Sequence, residues 1–350
     1  MDGNFPLVVR IFAKSLLFAL IAVAIYFGIK FFWPVSYDVK TLQGRPTTRY
    51  WDLSTGSRIA YTHLAAQGKT KHPYPVVYLH GGPGAGITDR EIQTFSQLAD
   101  SGFTVYLYDQ VGCGYSNRLK DINDYTIDRH KADLREIVRH TGTGKVNIAA
   151  QSWGSILAVA FLAEHPSLVN KLIITAPAPI QPARKELELI RPRDSLDLRP
   201  PAIDNNKISE KVSNLRSMII HKAAIQYGLK LASDEEADRF ATYYATELNK
   251  VMVCDSVNAV IAEGTEGFYA HYVTPRSLRK ITDVRPFIQT LETPVLIMKA
   301  QCDNQPWGYT TEYLSIFRNH LFAYIPNAGH NIFLEQPAVF VKTIDEFLRQ

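Results

Sequence analysis

Lys145 to Gly154 places a serine where its hydroxyl could act as a nucleophile. Val146-Asn147-Ile148-Ala149-Ala150 has the length and apolarity of a buried strand, and Ile156 to Ala163 is a good helix former. Gln151-Ser152-Trp153-Gly154 must therefore turn sharply between them. Small residues two before the serine (Ala150) and two after it (Gly154) suit a nucleophile elbow, where a larger side chain would strike the neighbouring strand or helix. Such a turn predicts strained backbone angles at Ser152, with its hydroxyl raised above the sheet edge beside the positive end of the next helix. The same pattern also fits an ordinary strand-helix junction, so its partners decide the reading.

A serine hydroxyl is a poor nucleophile until a base removes its proton and a carboxylate orients that base. Asp303 lies just past the strand-like run Val295 to Met298, and His330 just past Leu321 to Ile325. Both are expected at carboxyl ends of parallel strands, where open sheets place their ligands. Alone, Asp303 reads as a helix cap and His330 as a turn residue. In the order Ser152, Asp303, His330 they predict acyl transfer through a covalent intermediate. The loop His80-Gly81-Gly82-Pro83-Gly84 leaves backbone N–H groups free to face a developing oxyanion, and those of Gly82 and Trp153 are the candidates. His80 precedes that loop and reads as a structural hydrogen-bonding residue.

These residues need a sheet to hold them in register. Ile59–Leu64, Val76–Leu79, Phe103–Tyr108, Val146–Ala150 and Leu172–Thr175 read as strands, with helices at Arg90–Asp100 and Ile127–His140. That alternation predicts a parallel sheet with helices on both faces. Thr41 to Arg58 reads as polar and turn-rich. The alternation breaks at Ala176-Pro177-Ala178-Pro179, and a mostly helical stretch runs to about Pro286. Within it, Ser233 to Glu236 opens a helix carrying Phe240, Tyr244 and Leu248. Strand-helix alternation then resumes to the end. The expected organisation is an anchor over 1–35, a first core part over 36–177, a helical cap or lid over 178–289 and a second core part over 290–350. Tyr243, Tyr244, Phe268, Tyr269 and Tyr272 are expected to give the cap an apolar wall over the site.

Ile11 to Trp33 is almost wholly apolar and long enough to span a bilayer, with Lys14 and Lys30 near its ends and an aromatic run before Pro34. A cleavable signal is the rival reading, but its small-residue site at Ala22-Val23-Ala24 falls inside the apolar run. An uncleaved single-pass anchor contacting membrane lipid is expected; basic residues flank both ends, which leaves its sidedness open. The formal charge of +4 over 350 residues gives no case for nucleic acid. Three cysteines make no metal spacing and no disulfide framework, though they leave room for one bridge. The glycine-rich loops match neither the dinucleotide nor the phosphate-loop pattern. Neither a metal nor a cofactor is expected, and the oligomeric state is left open.

HGGPG at 80–84, DQVGCGYS at 109–116, QSWGS at 151–155, Asp303 and the Gly329-His330 pair together resemble the proline iminopeptidase branch of the α/β-hydrolase family. The resemblance covers roughly residues 55 to 177 and 290 to 350. It implies an α/β-hydrolase fold with an inserted cap, Ser152 as nucleophile, Asp303 as acid and His330 as base, and an oxyanion hole at Gly82 and Trp153. It also implies cap glutamates that hold a substrate's free amine, for which Glu263 and Glu266 are the nearest match. Val111 stands where that branch usually has Arg, and Ala150-Gln151 where it has Gly-Gly. The implied substrate is a small molecule or peptide with a small N-terminal residue such as proline, with an acyl ester as the alternative.

Overall fold

The computed structural model describes residues 7–68, 70–192, 194–201 and 205–350. Helix α1 (Leu7–Phe32) is followed by strands β1 (Arg49–Asp52) and β2 (Arg58–Leu64). Strands and helices then alternate through β3 (Val76–Leu79), α2 (Asp89–Asp100), β4 (Val105–Tyr108), α3 (Ile127–His140), β5 (Val146–Gln151), α4 (Trp153–Glu164) and β6 (Val169–Thr175). Five helices come next: α5 (Asn205–Val212), α6 (Leu215–Lys222), α7 (Asp234–Asn249), α8 (Phe268–Val273) and α9 (Arg285–Ile288). The chain returns to the sheet with β7 (Val295–Ala300), α10 (Trp307–Ile316), β8 (His320–Ile325), α11 (Ile332–Glu335) and α12 (Pro337–Arg349).

The eight strands form one sheet in the order β1-β2-β4-β3-β5-β6-β7-β8. Pairing is parallel from β4 onward, whereas β1 with β2 and β2 with β4 are antiparallel. Strand β1 lies in the stretch read from sequence as turns. Only Trp51 of its four residues is buried, so it carries little alternation; the indole stacks on Tyr61 with ring centroids 3.5 Å apart.

The central strands are buried on both faces, and their residues alternate between two cores. Val77, Leu79, Ile148 and Ala150 join α3 and α4 on one side. Val76, Tyr78 and Ala149 join Phe95 and Leu98 of α2 and Phe340 and Phe347 of α12 on the other. Helix α4 is enclosed almost all round, which explains its uniform apolarity. Register sets Leu79 beside Ala150, Gln151 beside Thr175, and Ala300 beside Ile325. The segments leaving β3, β5, β7 and β8 therefore emerge along one edge.

Helix α1 has one stretch, Val9–Phe32, long and apolar enough to cross a membrane, and none of it is buried by the rest of the chain. The segment after it runs onto the cap: Tyr37 stacks on Tyr243, its hydroxyl accepts from Asn214 Nδ2 at 2.6 Å, and its carbonyl accepts from Arg239.

A buried arginine holds the cap's two connections to the core. The Arg285 guanidinium donates to the carbonyls of Ile180 and Pro182 on the outgoing chain, to Asp283 on the returning chain, and to Glu312 of α10 at 2.8 Å. Arg285 and Glu312 side chains are 4% and 3% exposed, so deleting Glu312 leaves a buried guanidinium whose one remaining counter-ion, Asp283, is half exposed. Glu312→Ala is expected to lower the unfolding free energy by about 3–5 kcal/mol in urea titrations, with Arg285→Met plus Glu312→Leu recovering most of it. A loss below about 1 kcal/mol would mean that water reaches the pair.

Candidate active site

Ser152 joins β5 to α4 with φ 54° and ψ −118°, a backbone region that a non-glycine residue occupies only when its surroundings impose it. Two contacts impose it. The Ser152 N–H donates to the carbonyl of Thr175 on β6, and a Cβ at Gly154 would fall on the carbonyl oxygen of Leu79. Glycine at 154 thus lets α4 start close against β3. Trp153 opens α4, so its N–H belongs to the first turn, which has no intrahelical acceptor.

Facing this turn is the loop after β3. A Cβ at Gly81 would strike the Gln151 amide oxygen and lie 3.3 Å from the Ser152 Cβ. Gly82 takes φ 115°, where a side chain would collide with the backbone of Gly84 and Ala85. His80 is fully buried beneath the loop. Its Nε2 accepts from the Gln110 N–H at 3.0 Å, which leaves Nδ1 to donate to the Gly81 carbonyl at 2.8 Å. Burial lowers its pKa to about 4, so it is neutral here and serves as a strut. Gln110 extends the network by accepting from the Trp153 indole N–H at 3.0 Å. In the next stretch, the Asp109 carboxylate accepts from the Ile87 and Tyr115 N–H groups. A Cβ at Gly114 would overlap that carboxylate.

The turns after β7 and β8 bring in the other two residues. His330 Nδ1 donates to Asp303 Oδ1 at 2.7 Å, with both side chains buried. That bond directs Nε2 outward as an acceptor. Burial would raise the Asp303 pKa, but the Lys299 ammonium and the bond from His330 outweigh it and hold the group at about 2. The elbow and the histidine turn are tied directly, since Gln151 Nε2 donates to Asn331 Oδ1 at 3.0 Å. Gln151, where the related branch carries glycine, thus has a positioning contact. Glu335 secures the same turn from below, accepting from the N–H groups of Gly329, Cys254 and Asp255. Met252 O accepts from the His330 N–H, and Cys254 forms a disulfide with Cys302, the neighbour of Asp303.

Ser152, His330, Gly81 and Gly82 line one cavity of about 600 Å³, a size that suits a small-molecule or short-peptide ligand. Leu248, Met252, Ile261, Phe333 and Leu334 supply its apolar wall, and Glu263 and Glu266 reach it from the cap. Of the aromatic residues expected in that wall, Tyr244 and Tyr272 line the cavity. Phe268 and Tyr269 instead pack into the core at 1% and 2% exposure, and Tyr243 faces Tyr37. The helical turns of α8 and α7 direct these side chains away from the cavity, a separation that a count of aromatics cannot express. Lys299 and Glu335 were given no role from the sequence, and Gln151 was marked only as a departure from the related branch. Of the first two, only Lys299 left a signal there, as a cation inside an apolar strand run.

Glu266 accepts from the Thr242 hydroxyl at 3.0 Å. Burial, with Asp238 and Glu263 adding to it, raises its pKa to about 7, against hydrogen bonds that lower it. Because folding raises this carboxyl, the stability linked to it is full below about pH 4.5 and is lost as pH rises through about 7. Glu266→Gln is therefore expected to raise stability at pH 8 by up to about 3 kcal/mol and to change little at pH 4. Equal denaturation midpoints for both proteins at both pH values would show that the carboxylate stays hydrated.

This sheet order, the elbow and the inserted helices define an α/β hydrolase. The chain belongs to that family: the profile for the alpha/beta hydrolase fold matches residues 74–337. Among individual relatives, it is 34% identical over 122 residues to a proline iminopeptidase of Saccharolobus solfataricus, spanning 35% of this chain and 38% of that one. It is 29% identical over 177 residues to a proline iminopeptidase of Xylella fastidiosa, spanning 51% and 53%. The chain thus spans about half the length, or less, of these curated relatives. Among solved structures, an esterase from Exiguobacterium antarcticum superposes with a TM-score of 0.61 at 16% identity, covering 86% of this chain and 99% of that one. A proline iminopeptidase from Mycobacterium smegmatis gives 0.57 at 20% identity, covering 87% and 98%. These two likenesses speak to the fold.

Proposed function

We propose that this chain is a membrane-anchored serine hydrolase that cleaves a small amide or ester through an acyl-enzyme, and that its preferred substrates are peptides or amides with a small N-terminal residue such as proline. The reading is carried by the 2.7 Å His330–Asp303 bond facing a cavity that also holds the strained Ser152. Ser152 Oγ adds to the substrate carbonyl as His330 Nε2 takes its proton, and Asp303 steadies the resulting imidazolium. The Gly82 and Trp153 N–H groups receive the oxyanion. His330 then gives the proton to the leaving group, and water repeats the sequence on the acyl-enzyme to release the product and restore Ser152.

Similarity to proline iminopeptidases over 122 to 177 residues supports the aminopeptidase reading, as does the presence of Glu263 and Glu266 in the cavity. An ester or acyl-lipid substrate has its own support. With its pKa near 7, Glu266 is only partly charged at neutral pH, and Lys40 and Arg90 also line the cavity, which weakens the hold on an ammonium group. A fluorophosphonate probe is expected to label the wild-type chain and not Ser152→Ala, whose turnover should fall by at least about 10⁴-fold. An unlabelled wild-type chain would make this a binding protein on a hydrolase scaffold. Prolyl-arylamide, short-chain aryl ester and acylglycerol then separate the substrate classes. Turnover of the esters alone, unchanged by Glu266→Gln, would end the aminopeptidase reading.

The Cys254–Cys302 bridge supports placing the hydrolase domain on the oxidising side of its membrane, since disulfides persist in such compartments. Denatured without reductant, chain purified from its membrane is expected to take up one maleimide, at Cys113, and three after reduction. Three before reduction would place the domain on the reducing side.

A further inference from the structure

Lys299 is the fifth residue of β7, between the apolar Met298 and Ala300, and its side chain is 1% exposed. Its ammonium donates to Asp303 Oδ2 at 2.6 Å and to the Gln305 carbonyl at 2.6 Å. The other carboxylate oxygen, Oδ1, accepts from His330 Nδ1 at 2.7 Å and from the Gln305 N–H at 3.1 Å. One oxygen of the acid therefore serves a fixed cation, and the other serves the candidate base.

A lysine buried within a sheet is costly for folding alone. An apolar residue of similar volume usually matches or exceeds the stability of a buried ion pair, and lysine is almost never fully buried without a partner. The energetics of the strand therefore do not account for Lys299, whereas its contact with Asp303 has two direct chemical effects. The ammonium pins Oδ2, which turns Oδ1 toward His330 and removes the carboxylate's freedom to rotate. It also offsets part of the negative charge that attracts a proton to the imidazole.

We propose that Lys299 is a positioning residue for the hydrolytic reaction, holding Asp303 in register with His330 and moderating its charge so that the base stays proton-free at lower pH. The inference rests on the reading of Ser152 and His330 as the reacting pair. Other titratable groups also bear on His330. Glu91 of α2, Glu263 and Glu266 of the cap and His271 of α8 line its cavity. Glu335 of α11 underlies its turn, and Lys40 and Arg90 line the cavity from the linker after α1 and from α2. Lys299 differs from these in its direct contact with the acid.

The second-order rate of fluorophosphonate labelling, followed from about pH 5 to pH 9, reads the base directly and needs no knowledge of the natural substrate. In the full chain, Lys299→Met is expected to move the acid limb of that profile to higher pH by about one unit, the size of shift a single adjacent charge makes. It should also lower the plateau rate by about 10- to 100-fold through misplacement of the imidazole. Lys299→Gln, a milder change that keeps a hydrogen-bond donor without the charge, should move the limb equally with a smaller loss of rate. It carries the test if the methionine variant does not fold. An acid limb that stays in place in the folded variant, whatever its plateau, overturns the proposal. A wild-type chain that takes no label sinks the hydrolase reading itself, so the two failures are distinct.

Discussion

Everything at the site depends on one close approach: helix α4 starts so near β3 that residue 154 has no room for a Cβ. That contact, with the Ser152 N–H bound to Thr175 on the adjacent strand, pushes Ser152 into the left-handed region. A serine at that turn could relax into a common conformation only if the helix withdrew from the sheet. Withdrawal would expose two apolar layers, because α4 is enclosed on nearly every side. The strain at one residue is therefore held by the burial of ten others.

The remaining parts are delivered by the register of the sheet and secured by loops that reach across it. Strands β7 and β8 end together, which sets the Asp303 turn beside the His330 turn. Gln151 to Asn331 joins the serine's neighbour to the histidine's neighbour. Met252, Cys254 and Asp255, which follow α7, hold the turn before His330 and the turn before Asp303 through backbone bonds, Glu335 and the disulfide. The cap is thus fastened at its Arg285 root and again beside the candidate acid and base. Between these fixed points lies the cavity wall of α7, with Tyr244 and Leu248.

The electrostatics follow from dryness. Carboxyl groups at Asp109, Glu91 and Glu266 are all raised by burial, to about 6, 7 and 7. Asp303 is equally enclosed yet is held at about 2, because an ammonium and an imidazole N–H touch its two oxygens. The same low-polarity surroundings therefore produce opposite protonation tendencies, and the nearest donors decide which prevails.

Local chemistry settles the elements in the chain itself. A buried-strand run, a serine flanked by small residues and a helix former specify the elbow before any tertiary contact is known, because steric limits act over a few residues. The order of Ser152, Asp303 and His330, each just past the end of a parallel strand, likewise places all three at one sheet edge, since parallel strands share a direction. Strand β1 escaped notice because one buried residue in four makes no alternation. Which aromatic side chains face the cavity, which cysteines meet, and that Lys299 touches Asp303 were decided only by the folded chain. Those contacts join residues through the packing angles of helices and the crossing of loops, and neither quantity is written in the local sequence.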